Sequence, residues 1–463
     1  MKHPFITALF LAVYMVSFGQ QFPKDSLLYN GSRDKMINLV ILPDGYTSAE
    51  LSKFKTDATS FMNGFFMQSP FTQYKNYFNV YIVNIPSSQS GAKHPHTASD
   101  CGTDVSVLNP ITYFQSSFDY GGIDRLLVPN YSIVGTALMN NFPQWDIVLV
   151  IVNSNKYGGS GGMYAAASTN VSSAEIAIHE IAHSFGLLRD EYYPGASYMV
   201  ETTNNTKASS PTSVRWKNWV GNNSIGVYSF SEDPSWYRPH QNCKMRYLGV
   251  PFCSYCSEVI IERIHSLTNP ITNYIPSSSN INGSSMPLPF SINTLKPTPN
   301  TLKITWVLDG NLCSKNNETY TLNSSSLSQG THTLTATVID TTSLVKNDSH
   351  ASAHLYSVQW KINILPTDIS IATLQFKTQV NAYPNPFLDN LTIAYTLEKS
   401  SDVQVDLYDI NGLFIKTLEQ QHNLPAGEHK KTADVSQLNL PKGLFFLKFT
   451  MDNQSFTKSV IKE

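Results

Sequence analysis

The stretch Ser172 to Tyr193, SSAEIAIHEIAHSFGLLRDEYY, constrains the chain more than any other. His179 and His183 are four residues apart, so on a helix they project from one face, about 40° apart. Glu180 sits about 100° round from His179, near enough to orient a water without taking a ligand position. Ser172 and Glu175 have the S-x-x-E spacing of a capping box, which predicts the start of a helix. Ala174, Ile178, Ile181, Ala182 and Phe185 make an apolar stripe on the side away from the histidines. The helix must therefore lie on a core with its histidines toward a cleft. His-Glu-x-x-His in that setting has the spacing of a zinc site with a carboxylate base, Glu180.

Zinc catalysis needs three protein ligands and one open position. His179 and His183 supply two, and Gly186 lets the chain turn back toward them. Metzincins place the third ligand ten residues after the first histidine, where this chain has Arg189, which cannot bind a metal. Asp190 is expected to be the third ligand, with Glu191 as second choice and the remaining carboxylate orienting a histidine. Tyr192, Tyr193, Tyr237 and Arg238 are candidates for holding the oxyanion, with no spacing that ranks them. Met245 is expected in a turn beneath the zinc. Gly159 and Gly161, within Tyr157 to Gly162, suit a sheet edge where a peptide substrate adds as a strand, with a flexible turn as the equal alternative.

At 463 residues the chain is too long for one compact domain, and about two to four are expected. A net charge of −2 with 14% charged residues excludes the strongly basic surface that nucleic acid or anionic membrane would select. Lys2 and His3 precede an apolar run from Phe5 to Val16, and Ser17-Phe18-Gly19 offers a cleavage site, so residues 1–19 read as a secretory signal peptide. No later segment has the length and apolarity of a transmembrane helix. Cys243, Cys253 and Cys256 lie close in sequence. Without a visible fourth ligand they are expected to form a disulfide within the trio, with Cys101 as a further candidate.

Met36–Leu42, Phe78–Ile85 and Asp146–Val152 read as buried strands of a sheet covered on both faces. Thr47 and Glu50 form a second capping box before a helical pattern running through Phe65. Residues 86–122 are polar and irregular, and His94 and His96 within them read as exposed loop histidines. Ser257–Leu267 reads as a helix. Residues 269–300, with many prolines, read as a linker. Alternating strands over 301–366 predict an immunoglobulin-like β-sandwich, and a second linker at 367–380 leads to another β-sandwich over 381–463. The expected architecture is thus an α/β (α+β) metzincin-like peptidase domain over 20–268 followed by two small all-β domains.

Several separated motifs resemble the bacterial IgA-specific metallopeptidases. They are Leu42-Pro43-Asp44-Gly45-Tyr46, Pro70-Phe71, Phe78-Asn79-Val80, Tyr157 to Gly162, His179-Glu180-x-x-His183 with Asp190-Glu191-Tyr192, Tyr237-Arg238-Pro239, and Cys243-Lys244-Met245-Arg246 with Phe252-Cys253. The resemblance implies a zinc endopeptidase, with Asp190 as third ligand and Met245 in a Met-turn. The chain departs from it at Ile181-Ala182, where relatives often carry glycine, and in placing Gly186 early. The segment from Tyr383-Pro384-Asn385-Pro386-Phe387 onward, with Asp409 to Gly412, Leu424 to Gly427 and Gly443 to Phe445, resembles the sorting domains of type IX secretion. That implies export to the cell surface or beyond. The expected activity is cleavage of extracellular proteins or glycoproteins with one catalytic zinc. The alternative is a surface adhesin or glycan-binding protein with a vestigial zinc site.

Overall fold

A computed structural model describes residues 20–102, 106–282, 287–323, 327–364, 380–452 and 454–463, which fall into two compact units divided between Leu365 and Pro366. The expected signal peptide and nearly all of the expected 367–380 linker lie outside the described residues.

The first unit opens with β1 (Lys24–Leu28), β2 (Ile37–Asp44), α1 (Leu51–Phe66), β3 (Phe78–Val83), α2 (Tyr131–Asn141), β4 (Ile147–Val152), β5 (Gly159–Ser160), β6 (Ala165–Ser168) and α3 (Ser173–Ser184). These strands form one sheet in the order β1-β3-β2-β4-β6-β5. Its four inner strands are parallel, and β1 and β5 run antiparallel at the two edges. Every residue of β2, β3 and β4 is buried, as unbroken apolar runs with helices on both faces require. Ile37, Leu39 and Ile41 face a core shared with α1 and α3, while Val40 and Leu42 face one shared with α2.

The end of β2 shows why Leu42-Pro43-Asp44-Gly45-Tyr46 is built as it is. Asp44 is fully buried and accepts from the backbone N–H groups of Phe114 (2.9 Å) and Ser116 (2.8 Å) and from the Thr112 hydroxyl (3.1 Å). It thereby ties the irregular passage after β3 to the sheet. Gly45 has φ +70°, and a Cβ there would sit 1.8 Å from the Gly91 carbonyl oxygen, so no other residue fits the turn. Asp44→Ala leaves two buried N–H donors unpaired and is expected to lower stability by about 3–5 kcal/mol, read by denaturant unfolding.

The Thr47–Glu50 capping box forms, with Glu50 Oε2 accepting from the Thr47 N–H at 2.9 Å. The Ser172–Glu175 box does not. Ser172 makes no side-chain cap, and Glu175 turns outward to accept from Gln68, from the Gly249 N–H (2.9 Å) and from the buried Lys244 ammonium. A buried lysine without a carboxylate would be far more costly than a bare helix end, so the ion pair takes the glutamate.

After α3 come two short strands, β7 (Tyr228–Ser229) and β8 (Tyr237–Arg238), and then α4 (Ser254–Leu267), which begins three residues before its expected start. The supposed linker 269–300 holds three strands, β9 (Ile271–Ile275), β10 (Asn280–Asn282) and β11 (Leu288–Thr294). Next are β12 (Leu302–Leu308), β13 (Asn311–Lys315), β14 (Thr319–Leu322), β15 (Gly330–Asp340), α5 (His350–Ala353) and β16 (Tyr356–Ile364). They make sheets ordered β10-β16-β15-β12-β13 and β14-β11-β9 over one core. Trp306 and Trp360 stack at its centre, 5.7 Å apart, and Trp360 donates to the Pro276 carbonyl at 2.8 Å. Pro276 thus follows the end of β9 and serves the core as an acceptor.

The second unit contains β17 (Val380–Tyr383), β18 (Asn390–Leu397), β19 (Ser401–Tyr408), β20 (Phe414–Leu424), β21 (Gly427–Asp434), β22 (Gly443–Met451) and β23 (Gln454–Lys462). They form sheets ordered β17-β18-β21 and β20-β19-β22-β23 over their own core of Leu391, Ile393, Val405, Leu407, Leu447 and Phe449, among others. Asp409 to Gly412 is the hairpin turn expected there, with Asp409 Oδ1 accepting from the N–H groups of Asn411 (2.9 Å) and Leu413 (2.8 Å). The molecule is thus a multidomain mixed α/β protein. No helix among the described residues is long and apolar enough to cross a membrane.

Candidate metal centre

Ile178, Ile181, Ala182 and Phe185 anchor α3 in the core beneath the sheet. That fixes the opposite face, and with it His179 and His183, toward a cleft. The imidazoles are held by their far nitrogens: His179 Nδ1 lies 2.9 Å from the Lys244 carbonyl and His183 Nδ1 2.8 Å from the Leu188 carbonyl. A carbonyl can only accept, so each Nδ1 carries a proton, and each Nε2 is left facing the cleft as the atom able to ligate a metal. The two Nε2 atoms are 3.1 Å apart. Asp190 Oδ1 lies 3.0 Å from one and 3.2 Å from the other. Three potential ligand atoms at these spacings match one face of a tetrahedron, about 3.3 Å on an edge for nitrogen and oxygen ligands near 2.0 Å.

The chain after α3 makes this possible by a turn that Asn204 clamps. Its side chain accepts from the Arg189 N–H (2.9 Å) and donates to the Arg189 carbonyl (2.8 Å), while Asn205 donates to the Asp190 carbonyl (3.0 Å). Asp190 is brought to the histidines. Glu191 points the opposite way into a fully buried pocket beside Cys256 and Asn204. Its backbone N–H donates to the Met245 carbonyl at 2.7 Å, and the Lys244 carbonyl one residue earlier supports His179. Met245 is fully buried in the same core as α3.

Burial works against the charged form of Asp190, but hydrogen bonds to both imidazoles outweigh it and hold the carboxyl well below the usual range. Burial likewise opposes the charged form of His183, and the Asp190 hydrogen bond and charge override it, pushing the imidazole up to about 9. Burial pushes Glu180 up against the pull of the two histidines. Its Oε2 is 3.9 Å from His183 Nε2, at the rim of the donor face and not within it.

The cleft over this face has a volume of about 980 Å³, with Arg125, Gly161, Glu180, His183, Asp190 and Tyr192 in its wall. Of the oxyanion candidates, Tyr192 lines it, as does Tyr193. Tyr237 and Arg238 do not: they pair with β7, and Arg238 is buried with its guanidinium over the Phe230 ring at 4.6 Å. Gly159 is not a free edge, because its N–H donates to the Arg125 carbonyl and its carbonyl accepts from the Leu127 N–H, both at 3.3 Å. Gly161 is on the cleft itself. A Cβ there would meet Glu180 Oε2 at 2.6 Å and His183 Cδ2 at 3.2 Å, so the glycine leaves room for the glutamate. Gly161→Ala is therefore expected to lower turnover at least about 10-fold by displacing Glu180, with metal uptake retained in a metal titration.

Sequence reasoning missed Arg125 and Tyr131. Arg125 acts electrostatically on both Glu180 and Tyr192, and the Tyr131 hydroxyl donates to the Gly161 carbonyl at 3.1 Å. No periodicity marks the passage that carries Arg125. His94 also differs from expectation. It is buried, with Nε2 2.8 Å from Asp124 and 3.0 Å from Asp119, and Lys156 holds the outer oxygen of Asp124 at 2.5 Å. His96 is half-buried and bonds the Gly102 carbonyl at 2.9 Å. All five cysteines are free thiols, so the expected disulfide is absent, and Cys101 contacts Asp119 and Asp124 far from the trio in sequence.

The mixed α/β domain thus turns two helical imidazoles, a glutamate and an aspartate into one cleft. Residues 26–233 match the model of the IgA Peptidase M64 family, which supports a peptidase, and residues 381–463 match a Secretion system C-terminal sorting domain, which marks the protein for type IX secretion to the cell surface or extracellular space. No curated protein matches the chain. Among solved structures, latent PorU from Porphyromonas gingivalis is similar at 14% identity over 42% of this chain and 20% of that one, with a TM-score of 0.16. A Bacteroides ovatus glucan-utilisation protein, SGBP-B, is similar at 10% identity over 41% and 47%, with a TM-score of 0.16. Parabacteroides merdae β-glucuronidase is similar at 7% over 49% and 28%, with a TM-score of 0.15. The chain thus spans less than half the length of each.

Proposed function

We propose that the protein is a secreted zinc-dependent endopeptidase that hydrolyses peptide bonds of extracellular proteins or glycoproteins. The observation that carries this reading is the triangle of His179 Nε2, His183 Nε2 and Asp190 Oδ1, three potential ligand atoms 3.0–3.2 Å apart, at the spacing of three ligands on one ion. When bound, zinc would polarise the scissile carbonyl and lower the pKa of water to about 7. The Lys244 and Leu188 carbonyls keep both imidazoles in the ligating tautomer. Glu180, made a stronger base by burial, takes the proton of the attacking water and returns it to the leaving amine. Tyr192 and Arg125 border the same cleft and offer a hydroxyl and a positive charge to the oxyanion.

In this reading the catalytic domain is metzincin-like over residues 20–268, with Met245 in the turn under the metal. The two β-rich regions after it are sandwiches that act as accessory and sorting domains. Purified full-length protein is expected to cleave a broad panel of folded and denatured proteins, to stop on chelation and to resume on zinc addition. Zinc-loaded protein that cleaves nothing across that panel would overturn the proposal.

A further inference from the structure

A second cluster lies behind the first, on the far side of the Asp190–Glu191 turn. Glu191, Cys243, Cys253 and Cys256 bring one carboxylate oxygen and three sulfurs within 4.8 Å of one another, and all four residues are buried. They come from three places: the turn after α3, the turn at Met245 and the first turn of α4. Cys256 Sγ is 3.1 Å from Glu191 Oε1, while Glu191 Oε2 is fully buried and has no partner. Two sulfurs accept backbone hydrogen bonds, Cys243 from the Cys253 N–H (3.3 Å) and Cys253 from the Cys256 N–H (3.5 Å). Arg238, buried with Nε unpartnered, adds positive charge that acts on Glu191.

We infer that Glu191, Cys243, Cys253 and Cys256 hold a second, structural zinc ion. Three thiolates and a carboxylate form a closed four-ligand set of the soft kind that selects zinc, with ligand spacings of about 3.5–3.8 Å. Each thiol gives up its proton to solvent on binding, and no oxidant is needed. The site also meets a physical need. Between α3 and α4 the regular elements are two-residue strands and single helical turns, so few backbone hydrogen bonds fix the passage that positions Asp190 and the Lys244 carbonyl. An ion joining Glu191 to Cys243 would lock both at once. The four residues are positioning residues and do not touch substrate.

The inference is independent of the peptidase reading, and its test uses no activity. Full-length protein is prepared with Cys101→Ser and Cys313→Ser, so that thiolate signals come from the trio, and with His179→Ala and His183→Ala, so that the cleft cannot hold metal. This variant is expected to retain about one zinc per chain by elemental mass spectrometry, resistant to dialysis against chelator and released by a mercurial. Its cobalt-substituted form is expected to show sulfur-to-cobalt charge-transfer absorption, which Cys256→Ser abolishes. Because Cys256→Ser can unfold the chain, the histidine variant alone decides the matter. Absence of zinc and of the charge-transfer band in a folded histidine variant, or a disulfide within the trio by peptide mapping, overturns the inference.

Discussion

Glu180→Gln is expected to reduce protein cleavage by about 10³-fold, within the 10²–10⁴-fold that general acid–base catalysis supplies, while the purified variant still takes up metal. The two effects separate because of where Glu180 stands. Its carboxylate is 3.9 Å from His183 Nε2 and outside the triangle formed with Asp190, so the amide leaves all three donor atoms in place. The amide cannot accept the proton of the attacking water. Parallel kinetics and metal titration check this, and a Gln variant with undiminished turnover would remove Glu180 from the chemistry.

The second large effect divides two adjacent carboxylates. Asp190→Asn is expected to weaken cleft metal binding by at least about 100-fold, since even partners one shell further out cost 10–100-fold, and activity falls with it. Glu191→Gln changes none of the three donor atoms of the imidazole–aspartate triangle. Its side chain faces Cys256 and Asn204 in a fully buried pocket, so the loss appears as a lower melting temperature, with residual turnover by whatever fraction stays folded. Metal titration and thermal unfolding on both variants provide the check. The reverse pattern would exchange the roles of the two residues.

How much of this was legible beforehand follows from the physics of each element. The buried strands and α3 announce themselves because an apolar run or a helical stripe is a local signal, and the four-residue spacing of His179 and His183 needs nothing from outside the helix. The choice between Asp190 and Glu191 is not local. It is made by Asn204 and Asn205, more than ten residues on, which hold the turn by its backbone. Ser172 and Glu175 misled for a similar reason, because the partner that takes Glu175 is Lys244, sixty-nine residues away. The cysteine trio looked one ligand short because its fourth donor is itself half of the carboxylate pair assigned to the other site. Prolines at 276 and 289 signalled a linker, yet strand ends and edges tolerate proline, and only the stacked tryptophans reveal that these strands have a core to cover.

Asp340, at the end of β15, has a consequence for where this protein can be cut. It is fully enclosed and accepts from the Tyr74 hydroxyl (2.6 Å) and the Thr301 hydroxyl (2.6 Å), with His265 Nε2 at 3.1 Å. Tyr77 in turn donates to the Leu295 carbonyl at 2.7 Å. Residues 271–364 therefore belong to the same compact unit as the residues before them, and an expression boundary near 268 would strand a histidine and two tyrosines against water. The chain beyond Pro366 has a core of its own. A fragment ending near residue 364 leaves out the sorting domain and keeps the first compact unit entire.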